Sequence, residues 1–293
     1  MSERPGPAPA PAETHWPAPA KLNLFLHVVG RRPDGYHQLQ TLFQLLDLAD
    51  TVSVALREDG SIVRAAASYG VPAEEDLAVR AARALQSATG TPRGASLRVT
   101  KRIPLGGGLG GGSSDAATVL VALNSLWGCG LSLEELAALG LPLGADVPVF
   151  VQGSSAWAEG VGEQLTPVEL PEAWYVIIHP GVAVSTRGIF QSPELTRNSP
   201  LLTIRAFFDS GGRNDCEPVV RAMFPAVAEA LEWLGRFAPA RLTGSGACVF
   251  AACASAIDAE RLAARVPDRW TSYVARGLNR SPLHAQLAAG RRG

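Results

Sequence analysis

Little in this sequence is extreme, and its absences narrow what it can do. Among 293 residues, Lys and Arg number 26 and Asp and Glu 27, for a formal net charge of -1. Without a basic excess there is nothing to neutralise a phosphodiester backbone, so nucleic acid is not expected as a partner. The four cysteines, Cys129, Cys216, Cys248 and Cys253, form no Cys-x-x-Cys pair and are too sparse for a disulfide scaffold, which implies a reducing, cytoplasmic setting. No stretch approaches the roughly 20 uninterrupted apolar residues of a membrane span. Residues 1–18 are rich in Pro and Ala but lack a basic segment followed by a continuous apolar core. They are expected to form a disordered tail and not a signal peptide. His15, His179 and His284 show no metal-ligand spacing and are read as tail, strand-end and surface residues. There is no internal repeat.

What is abundant is apolar residues and glycine. At 47% hydrophobic, the chain can bury one large or two ordinary cores. Alternation from Leu22 to Val28 predicts a half-buried strand with Lys21 and Asn23 on one face. Thr51–Leu56 and Ser96–Ile103 predict two more strands, with a helix between them from about Asp76 through Leu85. Ser132 and Glu135 have the spacing of a capping box. Gly160, Gly162, Pro167 and Pro171 mark a plausible boundary at 160–172. Beyond it come a strand at Trp174–His179, a helix from Pro218 to about Phe237, a strand at Ala247–Cys253, a helix from Ser255 to about Ala264 and a strand at Thr271–Val274. Alternating elements with hairpin-like returns predict an α+β fold rather than a doubly wound sheet.

The densest signal is Pro104, Leu105, Gly106, Gly107, Gly108, Leu109, Gly110, Gly111, Gly112, Ser113, Ser114 and Asp115, followed by an apolar helix that Gly128 and Gly130 can stop. Ordering so many glycines is costly in backbone entropy, and the usual reason is a backbone that must approach something closely. Ser113 or Ser114 is expected near the N-cap, presenting amides and a positive helix end to an anion. The run is not a Walker loop, because no Gly-Lys-Ser/Thr closes it. A dinucleotide fingerprint also fails, since the acidic residue after a second strand is absent.

Pro-x-x-x-Gly-Leu-Gly-x-x-Ser-Ser before an alanine-rich helix resembles the nucleotide motif of the GHMP kinases. Pro19–Gln44 and Arg241–Phe250 fit the same superfamily. Lys21, Asn23, Gly35-Tyr36-His37, Leu143–Gly153, Ser185–Phe190, Asn214–Val220 and Ala275–Leu283 resemble its 4-diphosphocytidyl-2-C-methyl-D-erythritol kinase branch, over about residues 17 to 285. The resemblance implies a two-domain fold, residues 19–163 and 164–286, with the active site in the cleft between them. It implies ATP-dependent phosphorylation of the 2-hydroxyl of a cytidine diphosphate derivative of methylerythritol, with Mg2+, on the non-mevalonate isoprenoid route. A homoserine or mevalonate type of kinase, or a non-catalytic ligand-binding member, are the alternatives.

By that resemblance Lys21 and Asp146 form the catalytic pair. Phosphoryl transfer needs an aligned nucleophile and neutralised phosphate charge; Asp146 would accept or orient the acceptor hydroxyl proton and Lys21 would offset developing charge. Pro104 to Ser114 would enclose the ATP phosphates, and Lys101 would line the adenine pocket. Tyr36 and Phe190 would sandwich the cytosine, His37 would read its polar edge, Asn23 and Phe43 would line the same pocket, and Thr186 would touch the methylerythritol part. The loop Thr243, Gly244, Ser245 and Gly246 would close over the phosphates. Asp76 and Asp115 stand where relatives often carry asparagine; Asp115 reads as a favourable acid in a first helical turn. Mg2+ ligands are not assignable from the sequence.

Overall fold

The computed structural model describes residues 13–33, 35–65 and 71–290. Most of the expected tail, and Asp34 of the Asp-Gly turn, therefore lie outside the described residues. Two long strands, β1 (Glu13–Arg31) and β2 (His37–Arg57), pair antiparallel from Glu13 opposite Ala55 to Arg31 opposite His37. The tail expectation fails for residues 13–18. Glu13 to Ala18 pair with Asp50 to Ala55, Trp16 and Ala18 are buried, and His15 Nδ1 lies 2.9 Å from Ser53 Oγ. Proline suggested a tail because it cannot donate to a ladder, yet among the described residues β1 pairs with no strand but β2, and an edge tolerates Pro17 and Pro19.

A short β3 (Ile62–Arg64) precedes α1 (Leu77–Thr89), whose N-cap Asp76 accepts from the Ala78 amide as an Asp at that position should. β4 (Gly94–Thr100) leads through the glycine run into α2 (Gly111–Trp127), α3 (Leu133–Gly140) and α4 (Val147–Gln152), then β5 (Ala156–Glu159) and β6 (Gln164–Pro167). The capping box of Ser132 and Glu135 forms as expected. The cap of α2 does not: Gly110, with φ +74°, ends the loop in a left-handed turn, and both serines fall inside the first turn. A side chain there would be strained, and its Cβ would stand 2.8 Å from the Phe150 ring.

The second half comprises β7 (Trp174–His179), α5 (Thr186–Gln191), α6 (Ile204–Ser210), α7 (Glu217–Met223), α8 (Pro225–Gly235), β8 (Ala240–Leu242), β9 (Val249–Cys253), α9 (Ala256–Ala263), β10 (Thr271–Leu278) and α10 (Pro282–Gly290). The helix expected from Pro218 to Phe237 is thus two. Phe224 precedes Pro225 and takes extended geometry, since the proline ring disfavours a helical residue before it. His284, expected on the surface, is half-buried with Nε2 2.9 Å from the Val151 carbonyl.

The sheet runs β3-β4-β2-β10-β7-β9-β8, with β1 and β5 also on β2 and β6 on β5. Only β3 and β4 run parallel among these strand pairs. β10 pairs Gly277 and Leu278 with β2 and Thr271 to Arg276 with β7, so one sheet passes through both halves. Separate cores pack against its two parts. Val52, Leu85, Leu120 and Phe150 pack in the first half, and Ile178, Val220, Leu231 and Val249 in the second. Leu22, Leu46, Leu109, Ile177 and Phe250 form a third cluster at their junction. Each such side chain stabilises the fold by about 1.5–3 kcal/mol relative to exposure. The junction cluster fixes β1 and the glycine loop against the second half.

Candidate active site

Lys21 lies on β1 just after a register shift between Pro19 and Lys21, and its amide donates to the Leu109 carbonyl at 3.0 Å. The backbone of the strand is thereby tied to the glycine loop. Its ammonium, 2% exposed as a residue, donates to the Gly108 carbonyl at 3.0 Å and to Asn23 Oδ1, and stands 5.4 Å from the centre of the Phe43 ring. Asp146 Oδ2 is 3.3 Å away. Asp146 is the N-cap of α4, yet its carboxylate caps nothing in that helix, and its side chain remains 32% exposed. The carboxylate is thus turned from its ordinary structural use to the lysine, with one side open. Asn23 is held in turn: its amide nitrogen donates to Thr41 Oγ1 at 2.9 Å and its backbone N–H to Thr243 Oγ1 at 3.0 Å.

The glycine run owes its composition to more than a ligand. Gly106 and Gly108 have φ of +66° and +74°. The Gly106 and Gly107 carbonyls accept from Ala247 and Cys248 at 3.1 and 3.0 Å, and a Cβ on Gly108 would stand 2.3 Å from the Thr243 carbonyl. The loop is pressed onto the turn of Thr243 to Gly246, so the two small-residue segments form one surface. Leu109 is buried, Leu105 exposed, and Ser114 Oγ is buried without a hydrogen-bond partner among the described residues.

Lys101 lies in a mostly buried cluster. It pairs with Asp50 and, at 2.7 Å, with Asp115, beneath Gly111 at the start of α2. Asp50 also accepts from the amides of Arg102 and Ile103. Burial, reinforced by Asp50 and opposed by Lys101, pushes the Asp115 carboxyl up to about 7. Burial lowers the Lys101 ammonium, but the carboxylates of Asp115 and Asp50 outweigh it and raise it. Asp115 was expected as a helix-dipole acid; instead it partners Lys101. Asp76 is buried, capping α1 and pairing with Arg64 at 3.2 Å.

Two adjoining spaces open onto this machinery. A chamber of about 240 Å³ is lined by Lys21, Asn23, Phe43, Gly108, Ser113 and Asp146, with Thr41, Gly244 and Ser245 also on its wall. A cavity of about 630 Å³ is lined by Tyr36, His37, Thr186 and Phe190, together with three arginines, Arg31, Arg187 and Arg197. They share Leu39, Ala145, Val161, Thr186 and Phe190. The His37 and Phe190 rings are 5.1 Å apart, and Thr186 Oγ1 lies 2.8 Å from Ser245 Oγ. Tyr36 is 66% exposed at the rim. Burial, then Arg197, then Arg31 push the His37 imidazole below its ordinary value.

The structure therefore brings Lys21, Asp146, Asn23, Phe43, Thr186 and Phe190 together around one space. Lys101, Pro104, Leu105, Gly106, Gly107, Leu109, Gly110, Gly111, Gly112, Ser114, Thr243 and Gly246 line neither cavity. Sequence reasoning missed Thr41, which its two-residue spacing from Phe43 on β2 could have given. It also missed Arg197, which lies in an irregular segment with no pattern to mark it. Among the described residues no group of three or more His, Cys, Asp and Glu could hold a metal. Side-chain oxygens on the chamber wall come from Asn23, Thr41, Ser113, Asp146, Thr186 and Ser245, and of these Asp146 alone is a carboxylate.

Residues 76–154 match the GHMP kinases N terminal domain, and residues 194–272 match the GHMP kinases C terminal family. The chain is 56% identical over 280 residues to a 4-diphosphocytidyl-2-C-methyl-D-erythritol kinase of Halorhodospira halophila, covering 94% of this chain and 97% of that protein. It is 58% identical over 273 residues to the kinase of the same name from Alkalilimnicola ehrlichii, covering 93% and 94%. A crystal structure of 4-(cytidine 5'-diphospho)-2C-methyl-D-erythritol kinase superposes with a TM-score of 0.76 at 36% identity, covering 90% of this chain and 99% of that one. The mevalonate kinase of Methanococcus jannaschii, at 15% identity and a TM-score of 0.66 over 93% of this chain and 100% of that one, shares the fold.

Proposed function

Because this chain belongs to the 4-diphosphocytidyl-2-C-methyl-D-erythritol kinases, within the GHMP kinases, we infer that it transfers the γ-phosphoryl group of ATP to the 2-hydroxyl of 4-diphosphocytidyl-2-C-methyl-D-erythritol. The products are the 2-phosphate and ADP, in isoprenoid precursor biosynthesis. The observation that carries the site reading is the pair of Lys21 and Asp146 at 3.3 Å, its open side facing a chamber continuous with a larger aromatic cavity.

The acceptor's cytosine occupies the larger cavity, against Phe190, His37 and Tyr36, and its methylerythritol end passes Thr186 into the chamber. There Asp146 takes the proton of the attacking hydroxyl as the new O–P bond forms and the bond to ADP breaks. Lys21, held by Gly108 and Asn23, neutralises charge on the transferred group without having to move. Asn23, Phe43 and Thr41 keep that ammonium aimed. The ATP phosphates lie along the surface made by the glycine loop and the turn of Thr243 to Gly246. Lys101, on this reading, supports the adenine side by anchoring the start of α2.

Mg2+ belongs to this reading as well. A hard ion that keeps several waters needs only one or two oxygen ligands from a protein, and the Ser113 hydroxyl and the Asp146 carboxylate on the chamber wall would hold it. When bound, it would neutralise charge on the ATP phosphates. The division into residues 19–163 and 164–286 is supported by the family segments, one on each side of it. No described helix is long and apolar enough to cross a membrane; four free cysteines and small-molecule substrates favour the cytoplasm.

The deciding experiment is a coupled ADP-release assay offering the cytidine diphosphate substrate, homoserine and mevalonate in parallel. ADP release with the first alone is expected. Preference for either other acceptor, or binding of the first without turnover, would overturn the reading.

A further inference from the structure

Arg197 is among the most constrained side chains at the cavity, and the reaction described above gives it no task. Its Nη1 donates to the Leu195 carbonyl at 2.9 Å, and its Nη2 donates to the Phe190 and Ser192 carbonyls at 3.1 and 2.6 Å. Three main-chain oxygens, one in the last turn of α5 and two just beyond it, thus fix the guanidinium, whatever His37 does. The remaining Nε–H donates to His37 Nε2 at 3.1 Å.

A guanidinium has only donors, so the ring atom it meets must be a lone pair. A neutral imidazole with an acceptor at Nε2 carries its proton on Nδ1, and an imidazolium could not make this bond at all. The charged groups around the ring all disfavour its protonation. Arg31 comes from β1, Arg187 from α5 and Arg197 from the segment after it, and no carboxylate occurs among the cavity's described lining residues.

We propose that Arg197 is a positioning residue that locks His37 in the Nδ1–H tautomer, so that the imidazole offers the nucleobase a donor only, and thereby sets selection for cytosine over uracil. Cytosine presents N3 as an acceptor; uracil presents N3–H, a donor that would face Nδ1–H with no lone pair to meet. A site built around a fixed hydrogen-bonding pattern rejects the mismatched analogue because its own buried polar group is left unpaired. Without the lock, a neutral imidazole can exchange tautomers and accept from uracil. This inference rests on the reading of His37 as a base contact.

The test begins with 15N NMR of the ring nitrogens in the intact enzyme near pH 7.5. Nδ1 protonated and Nε2 bare is expected for His37; the opposite tautomer would overturn the proposal, and no variant is needed to learn this. The Arg197→Met variant should lower the ratio of kcat/KM for the cytidine over the uridine diphosphate substrate by about tenfold, with KM for ATP within twofold. Equal losses on both substrates would mean that Arg197 only props the segment after α5, and would sink the lock alone. An unchanged KM for the cytidine substrate in His37→Ala would instead remove the base-contact reading, and the lock with it.

Discussion

The chain contains only two lysines, Lys21 and Lys101, among 26 basic residues, and each pairs with aspartate on a different side of the same glycine loop. Lys101 is enclosed by Asp50 and Asp115, whose side chains are almost wholly buried. Lys21 is more deeply buried than Lys101, yet its carboxylate partner is one-third exposed. Two charges closed in together fix a structure; a charge pair left open on one side has unused capacity for a third group. Arg could not replace either lysine simply, since a planar fork needs more room than a point charge at the end of a flexible stem. Burial of a lysine is therefore not what separates the two roles. The exposure of its carboxylate is.

This contrast can be broken in four places. Asp146→Asn should lower kcat by about 10³-fold, the range for a lost general base, while the midpoint of thermal unfolding stays nearly unchanged; steady-state kinetics beside calorimetry reads both. Asp50→Asn should do the reverse. It leaves a buried ammonium poorly compensated and should cost roughly 3–5 kcal/mol in denaturant unfolding, with kcat for the surviving folded enzyme changed far less than by Asp146→Asn. If Asp50→Asn removed turnover without destabilising the fold, the two clusters would not differ as described. His37→Ala should raise KM for the acceptor about tenfold, as loss of one hydrogen bond with stacking implies, and leave KM for ATP alone.

The smallest effect is set by Asp115. Its carboxyl is pushed up to about 7 when folded, against about 4 in an unfolded chain. Between those values the native state binds more protons than the unfolded one, so its contribution to stability falls as pH rises from 4 to 7 and is constant above. Asp115→Asn should flatten that decline and be neutral or slightly stabilising at pH 8, with thermal melts at half-unit pH steps as the measure. A steeper decline in the variant would show that Asp115 is stabilised as an anion.

Local chemistry was legible in the sequence where it decides the outcome locally. Trp174–His179 is an apolar run bounded by turns, and the strand has those bounds. Ser132 with Glu135, and Ser255, cap their helices because the bonds they make span three residues. The pairing of Lys21 with Asp146 was accessible only through resemblance, since 125 residues separate them and no periodicity links them. What escaped was set by distant partners. Glu13–Ala18 looked like a tail because the strand they pair with lies more than 30 residues on. Asp115 looked like a dipole acid because Asp50 and Lys101 cannot be placed beside it from spacing. The glycines read as a cradle, and a second reason for them, the close approach of Thr243 to Gly246, belongs to another part of the chain.

That seam between Gly106–Gly108 and Thr243–Cys248 has an outcome during synthesis. A ribosome that has delivered the glycine run must add some 140 further residues before the opposite lip exists, so a nascent chain can build its first core well before it has any grip on nucleotide. On the proposed function, ATP would therefore stabilise only a chain in which both lips are already present.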